Sequence, residues 1–314
     1  MPPPMVTGLS PRACALCRRK DDLLRCSKCQ HLRDIQGDLF VPDDIFNNGV
    51  GHFWRIIETR PYMLACYGVV DALLLNFGSV GAPVDAIETA LDHLTDMMRL
   101  CRSDNMGLRG VVPFLLVRLG RDQEACDFMK WYATTGNDAQ YGWGNTELPY
   151  LDVKDADILE PLGNMWITTQ WLDLTHSIAV LLSKIRVLLD LQAIHAVTIT
   201  LGGKLPTEIL LLILADFVGP VIESRPDLLR SSIEEVSHLM VTLKSQVATL
   251  FKSADRYNRH FFRSMLNNPA SAIADRSEYC SPGSHEESNT VMGFSYYAWA
   301  ETPGAIQLVK HLRN

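Results

Sequence analysis

From Glu58 onward, apolar residues recur every three or four positions, the spacing that paints one face of a helix, and the pattern persists almost to the end of the chain. It is clearest over Val84–Cys101, where Ile87, Leu91, Leu94, Met98 and Cys101 form a single stripe. Asp85 and Glu88 stand in its first turn and Arg99 in its last, the arrangement that the helix dipole favours. Asp122–Thr134 repeats the pattern through Ala125, Phe128, Met129 and Tyr132, with Gly120 in the tight connection before it. Further helices are predicted over Pro61–Phe77, Met106–Leu119, Trp166–His195, Pro206–Phe217, Pro226–Arg256 and Phe261–Leu266, with a last one around Tyr296, Tyr297 and Trp299. Strand signals are few. Ala196–Leu201 is β-branched, but six residues ahead of Gly202-Gly203 make no sheet alone and read as a helix end or a short extended link. The predicted class is mainly α.

Two of these helices share a period. Ala90 and Ala125 lie 35 residues apart, and each is followed four residues later by a larger apolar residue, Leu94 and Met129. The turn LGRDQEA before Ala125 is of the kind that joins the two helices of a tetratricopeptide hairpin, whose repeat is about 34 residues. The pairs 58–101 and 105–135 therefore read as tetratricopeptide-like hairpins in an α-helical body. Pro113 and GSVGAP interrupt the pattern, and an ordinary α-hairpin bundle satisfies the same spacing.

Residues 136–165 break the helical run with glycines, prolines and acidic residues, and carry Tyr141, Trp143 and Tyr150. The carboxylates Asp152, Asp155, Asp157 and Glu160 lack the glycine and the twelfth-position Glu of a calcium loop, so this segment reads as a solvated loop laid over helices. In the tail 293–312, Tyr296, Tyr297, Trp299 and Ala300 stand too close together for one clean stripe. That predicts a helix buried on several sides, docked near loop 141–160.

The N-terminus has a different character. After a Pro-rich start come Cys14-Ala-Leu-Cys17, eight residues, and Cys26-Ser-Lys-Cys29. Two CxxC pairs this close bring four thiolates within reach of one tetrahedral ion, and zinc is the usual occupant. Arg18, Arg19, Lys20 and Arg25 between them would offset the charge of a tetrathiolate centre. The predicted organisation is a Pro-rich segment and zinc knuckle over 1–35, a linker over 36–57 rich in Gly, Asn, Asp and Pro, and a helical domain over 58–314.

Composition narrows the function. A chain of 314 residues with 47% hydrophobic and 21% charged residues builds a core without disulfides. The net charge of −7 argues against general nucleic-acid binding, which needs a basic face. The N-terminus has no apolar stretch of the signal-peptide kind, and no 18 uncharged apolar residues run together, so no membrane partner is expected. Reduced CxxC pairs without a signal peptide point to the cytoplasm or nucleus.

CALCRRKDDLLRCSKC resembles the opening of a MYND zinc finger, and the rest of the chain resembles fungal proteins that join such a finger to tetratricopeptide-like helices. The second resemblance rests on LRDIQGDLFVPDDIFNNGVGHFW, on ALDHLTDMMRLCRSDNMGLRGVVPFLLVRLGRDQEACDF, on YGWGN with PYLDVKDADILEP, and on the terminal WAETPGAI. It implies a zinc-holding interaction protein and no particular reaction. A complete finger continues with a third cysteine pair, a His and a Cys, and binds two ions in cross-braced order. Here no cysteine follows Cys29 until Cys66. Either the four thiolates collapse onto one ion, with His31 as a substitute ligand, or the finger is a remnant.

No HExxH, GxSxG, Walker A or GxGxxG pattern is present. Leu205–Leu214, LPTEILLLIL, resembles the first helix of an F-box, a short pattern that any buried helix with a Pro start reproduces. The sequence thus predicts a zinc-binding protein that acts through an unidentified protein partner, with Cys14, Cys17, Cys26 and Cys29 on Zn2+ and no catalytic site. The alternative is an enzyme with an unfamiliar site near loop 141–160.

Overall fold

A computed structural model describes residues 44–168, 172–275, 277 and 279–313. Every regular element among them is helical, in agreement with the predicted class. In chain order these are α1 (Ile45–Asn48), α2 (Arg60–Phe77), α3 (Val84–Leu100), α4 (Val112–Arg118), α5 (Asp122–Ala133), α6 (Leu174–Leu201) and α7 (Thr207–Phe217). They are followed by α8 (Pro220–Glu223), α9 (Pro226–Leu229), α10 (Ile233–Tyr257), α11 (Phe261–Asn267), α12 (Pro269–Ala274), α13 (His285–Ala300) and α14 (Ala305–Arg313).

The described chain divides into two compact units. The first runs to Val112 and includes Ala139–Tyr150. Its centre is the pairing of α2 with α3. The stripe predicted on α3 is its inner face: Ile87, Ala90, Leu91, Leu94, Met97 and Met98 are all buried, and Ala90 is completely so. At the other end of this unit Phe53 sits against Phe46 and Tyr62. Residues 139–150 are pinned by Arg102, which donates to the carbonyls of Asn145 and Leu148 and lies 4.9 Å from the Tyr150 ring centre.

The second unit comprises Pro113–Asp138 and everything from Leu151. Its axis is α6, against which α5, α7, α10 and α13 pack. Asp173 caps α6 by accepting from the His176 backbone N–H, so this helix begins eight residues later than the hydrophobic pattern suggests. It also continues past His195, and the β-branched Ala196–Leu201 is its last turn and a half. The predicted helix over Pro226–Arg256 is two helices. Ser232 and Glu235 form a reciprocal capping box that starts α10 and separates it from α9. Pro113 lies at the second position of α4, where its missing N–H costs nothing, so it starts a helix that the spacing would have had it interrupt.

The tail docks as the burial of its aromatics suggests. Trp299 is fully buried, and α13 packs on α6, α11 and α12. Glu287 ties its start to the end of α10, accepting from Tyr257 Oη, Asn258 Nδ2 and the Gly283 backbone N–H. Two arginines hold its end. Arg118 of α4 makes a two-pronged pair with Glu301 at 2.8 Å, and Arg186 of α6 donates to Thr302 Oγ1 at 3.1 Å while gripping both carboxylate oxygens of Asp122.

Candidate functional site

The four cysteines predicted to hold zinc, Cys14, Cys17, Cys26 and Cys29, lie outside the described residues, as do His31 and the basic residues between the pairs. Among the described residues no group of three or more His, Cys, Asp or Glu side chains is placed to hold a metal ion. Of the remaining cysteines, Cys66, Cys101 and Cys126 are buried and Cys280 is exposed.

The acidic loop is less a solvated segment than its composition implies. From Leu151 onward it is stitched to α5 and α6. The Trp131 indole N–H donates to Asp152, Gln123 donates to the Ala156 carbonyl, and the Ala156 N–H donates to Asp127. Lys130 pairs with Glu160 at 2.6 Å, and Asp157 lies 3.7 Å from Arg225. The centre of this network is Lys184, whose residue is only 3% exposed. Its ammonium donates to the carbonyls of Ile158 and Glu160 and to Gln246 Oε1, three acceptors for three protons.

Burial pushes the Lys184 ammonium down from 10.5 to about 8, against the opposing pull of Cys126, Glu160 and Asp157. Burial, together with Asp122 and Asp127, pushes the neighbouring Cys126 thiol up to about 12, which leaves it an unreactive thiol. The space enclosed by Cys126, Lys130, Glu160, Trp166 and Lys184 is about 30 Å³, room for a water or two. This is the only part of the described chain where a loop singled out by the sequence meets strongly shifted titratable groups. In the sequence the acidic loop was the visible half of this arrangement, and its other half is a charged Lys184 inside the apolar run of α6.

A second, larger cleft of about 360 Å³ lies between α6 and the segment joining α7 to α8, lined by Asp122, Arg186, Asp190, Asp216, Phe217 and Gly219 among others. Asp190 accepts from the Gly219 N–H at 2.9 Å, and burial raises its carboxyl from 3.8 to about 6 even though that hydrogen bond and Arg186 pull it down. A methyl group on Gly219 would stand 3.1 Å from the Asp190 carboxylate, which explains a glycine at this position. Arg186 is already committed to Asp122 and Thr302, so the cleft presents carboxylates without assembling an acid, a base and a nucleophile.

The surface is apolar where solvent-facing helices are ordinarily polar. Leu64, Leu75 and Phe77 of α2 and Val80 and Val84 beyond it are more than half exposed. On α7, Leu212 and Phe217 are likewise more than half exposed, and of the apolar run Ile209–Leu214 only Leu214 is buried. The F-box-like segment is therefore not the buried helix its composition suggested. No helix among the described residues is long and apolar enough to cross a membrane. Comparison with known protein families, characterised proteins and solved structures returned no match.

Proposed function

We propose that this protein works by contact with other proteins, carries one zinc ion on Cys14, Cys17, Cys26 and Cys29, and has no catalytic centre in its helical body. In this reading the knuckle is the first half of a MYND-type finger, and zinc has a structural role because four thiolates leave no open position for water. The pairs α2–α3 and α4–α5 are then hairpins of the tetratricopeptide kind. The observation that supports the reading is the exposure of Leu64, Leu75 and Phe77 on α2, of which Leu64 and Leu75 stand on one side of the helix three turns apart.

The enzyme alternative finds its best footing at Lys184, since an amine brought near neutrality is suited to proton transfer or imine formation. Against it, all three ammonium protons are engaged by the protein, and the adjoining space holds no more than a water or two. Lys184 fits the part of a strut that fastens the loop.

Metal analysis of the full chain tests the first half of the proposal: one zinc per chain is expected, released by Cys14→Ser with little change in helical circular dichroism. Two ions, or none with every N-terminal thiol freely titratable, would count against it. The second half is tested by quantitative co-precipitation from source cells with the parent and a Leu64→Asp/Leu75→Asp variant. Loss of a reproducible set of partners by a variant that melts like the parent is expected, and an unchanged set would sink the reading.

A further inference from the structure

We infer that the cleft between α6 and the link from α7 to α8 binds a small aliphatic amine in its ammonium form. The inference depends on neither the zinc knuckle nor the face of α2, and every residue lining the cleft belongs to the second unit. At about 360 Å³ it has the volume of a small-ligand site, whereas the space beside Lys184 holds a water or two. Asp122, Asp190 and Asp216 line it against a single guanidinium, that of Arg186. The guanidinium is spent, since all three of its nitrogens donate to Asp122 or Thr302. Thr302, the other side-chain donor on the wall, gives its own proton to the Ala298 carbonyl. Asp190 uses one oxygen to accept from the Gly219 N–H. Among the described residues, its second oxygen and both of Asp216 have no hydrogen-bond or ion-pair partner.

A second observation, independent of the carboxylates, has the same sign. Helix α7 ends at Phe217, in the wall of the cleft. Its last carbonyls carry the negative end of the helix dipole, which a capping N–H or a basic side chain ordinarily answers. Here no basic residue stands in the last turn, Val218 leaves the helix extended, and among the described residues no backbone N–H closes that turn. The Gly219 N–H, the next donor along the chain, goes to Asp190 instead. Unpaired acceptors and an uncapped helix end thus meet at one space, and a cationic donor answers both. No group of three His, Cys, Asp or Glu side chains among the described residues is placed to hold a metal ion, so an organic cation fits where a bare ion does not. Val187, Leu189 and Val221 give the wall apolar area for a short carbon chain, and exposed Phe217 adds an aromatic ring, which attracts an ammonium.

Titration of the full chain with putrescine, a four-carbon diamine, tests the inference when followed by calorimetry and by the Gly219 amide resonance. Saturable one-to-one binding that shifts Gly219 is expected. Butanediol, of the same length and without charge, should bind about tenfold more weakly or not at all. Asp190→Asn still accepts from the Gly219 N–H but has no charge, so it should weaken putrescine about tenfold with the fold intact, and Asp216→Asn should weaken it less. Binding should fade as pH falls through 6, where Asp190 takes up a proton while Arg186 still holds Asp122. Binding that does not saturate, a Gly219 resonance that stays in place, equal affinity in Asp190→Asn, or a diol as strong as the diamine would each overturn the inference. Magnesium chloride that displaces putrescine at equal concentration would assign the cleft to an inorganic cation and overturn it too. So would a blocked lysine tripeptide that binds more tightly than putrescine, since the ammonium would then come from a protein partner.

Discussion

At the residue scale, two ionisable groups, the buried Lys184 and the half-buried Asp190, carry opposite pH signatures. The folded-state value of Lys184, about 8, lies below its ordinary 10.5, so between those pH values the unfolded chain binds more protons. Its contribution to stability is therefore fully present only above about pH 10.5, and is lost as pH falls through 8. Lys184→Met removes the penalised charge but leaves the Ile158 and Glu160 carbonyls without their donor. We expect a net loss of about 1–3 kcal/mol, with the pH 8–10.5 rise abolished. Urea unfolding across that range, with amide exchange following loosened residues 156–162, checks both. Asp190 behaves in reverse. Its carboxyl is raised from 3.8 to about 6, so its contribution is complete below pH 3.8 and lost as pH rises through 6. Asp190→Asn, which still accepts from the Gly219 N–H, should be more stable than the parent at pH 7.5 by about 1–2 kcal/mol, a value discounted because the cleft is open to solvent. The difference should vanish near pH 4, and equal midpoints at pH 7.5 would show that the carboxylate is better solvated than its burial implies.

At the scale of elements, what the hydrophobic pattern revealed and what it hid follow one rule. Helices with one apolar stripe were legible: α3 and α5 end within a residue of their predicted limits because a single inward face fixes both phase and length. The start of α6 and the division of α9 from α10 were not, since both are set by one side chain accepting a backbone N–H, Asp173 and Ser232, and not by periodicity. The run ILLLIL showed that α7 is helical but misled about where it lies, because a helix that is apolar all round reads as buried. The structure buries Leu214 alone, leaves Ile209 and Leu212 exposed, and half-buries Leu210, Leu211 and Ile213. The Lys184 strut was hidden for a related reason. Its acceptors, Ile158 O, Glu160 O and Gln246 Oε1, are 24 or more residues away, and two of them are backbone atoms with no sequence signature. The capping box offers a direct test. Ser232→Ala should cost about 1 kcal/mol and fray the start of α10, read as faster exchange of the Glu235 amide. If exchange at Glu235 is unchanged, α10 is started by its packing on α6 and not by its cap.

At the scale of the whole chain, the residues after Gly293 act as a closing piece for the second unit. Beyond Gly293 lie Trp299, which is fully buried, Ala298, Ala305 and Val309, each at most 1% exposed, and Glu301 and Thr302, which answer the two arginines. Burial of one large aromatic side chain alone stabilises by about 1.5–3 kcal/mol. A chain truncated after Gly293 would also leave the Arg118 guanidinium, whose side chain is 4% exposed in the intact protein, without its carboxylate. That is the costly way to break a partly buried pair, since the charge stays behind. We expect the truncated chain to lose several kcal/mol and to aggregate, whereas Glu301→Gln, which also strips the charge partner but keeps the tail's packing and one acceptor for Arg118, should lose less and stay soluble. Comparing the two separates packing from pairing. If Glu301→Gln aggregates like the truncation, the arginine clamp holds the tail; if the truncated chain unfolds cooperatively in urea like the parent, residues 294–314 are dispensable to the fold, and their aromatic surface is available to a partner.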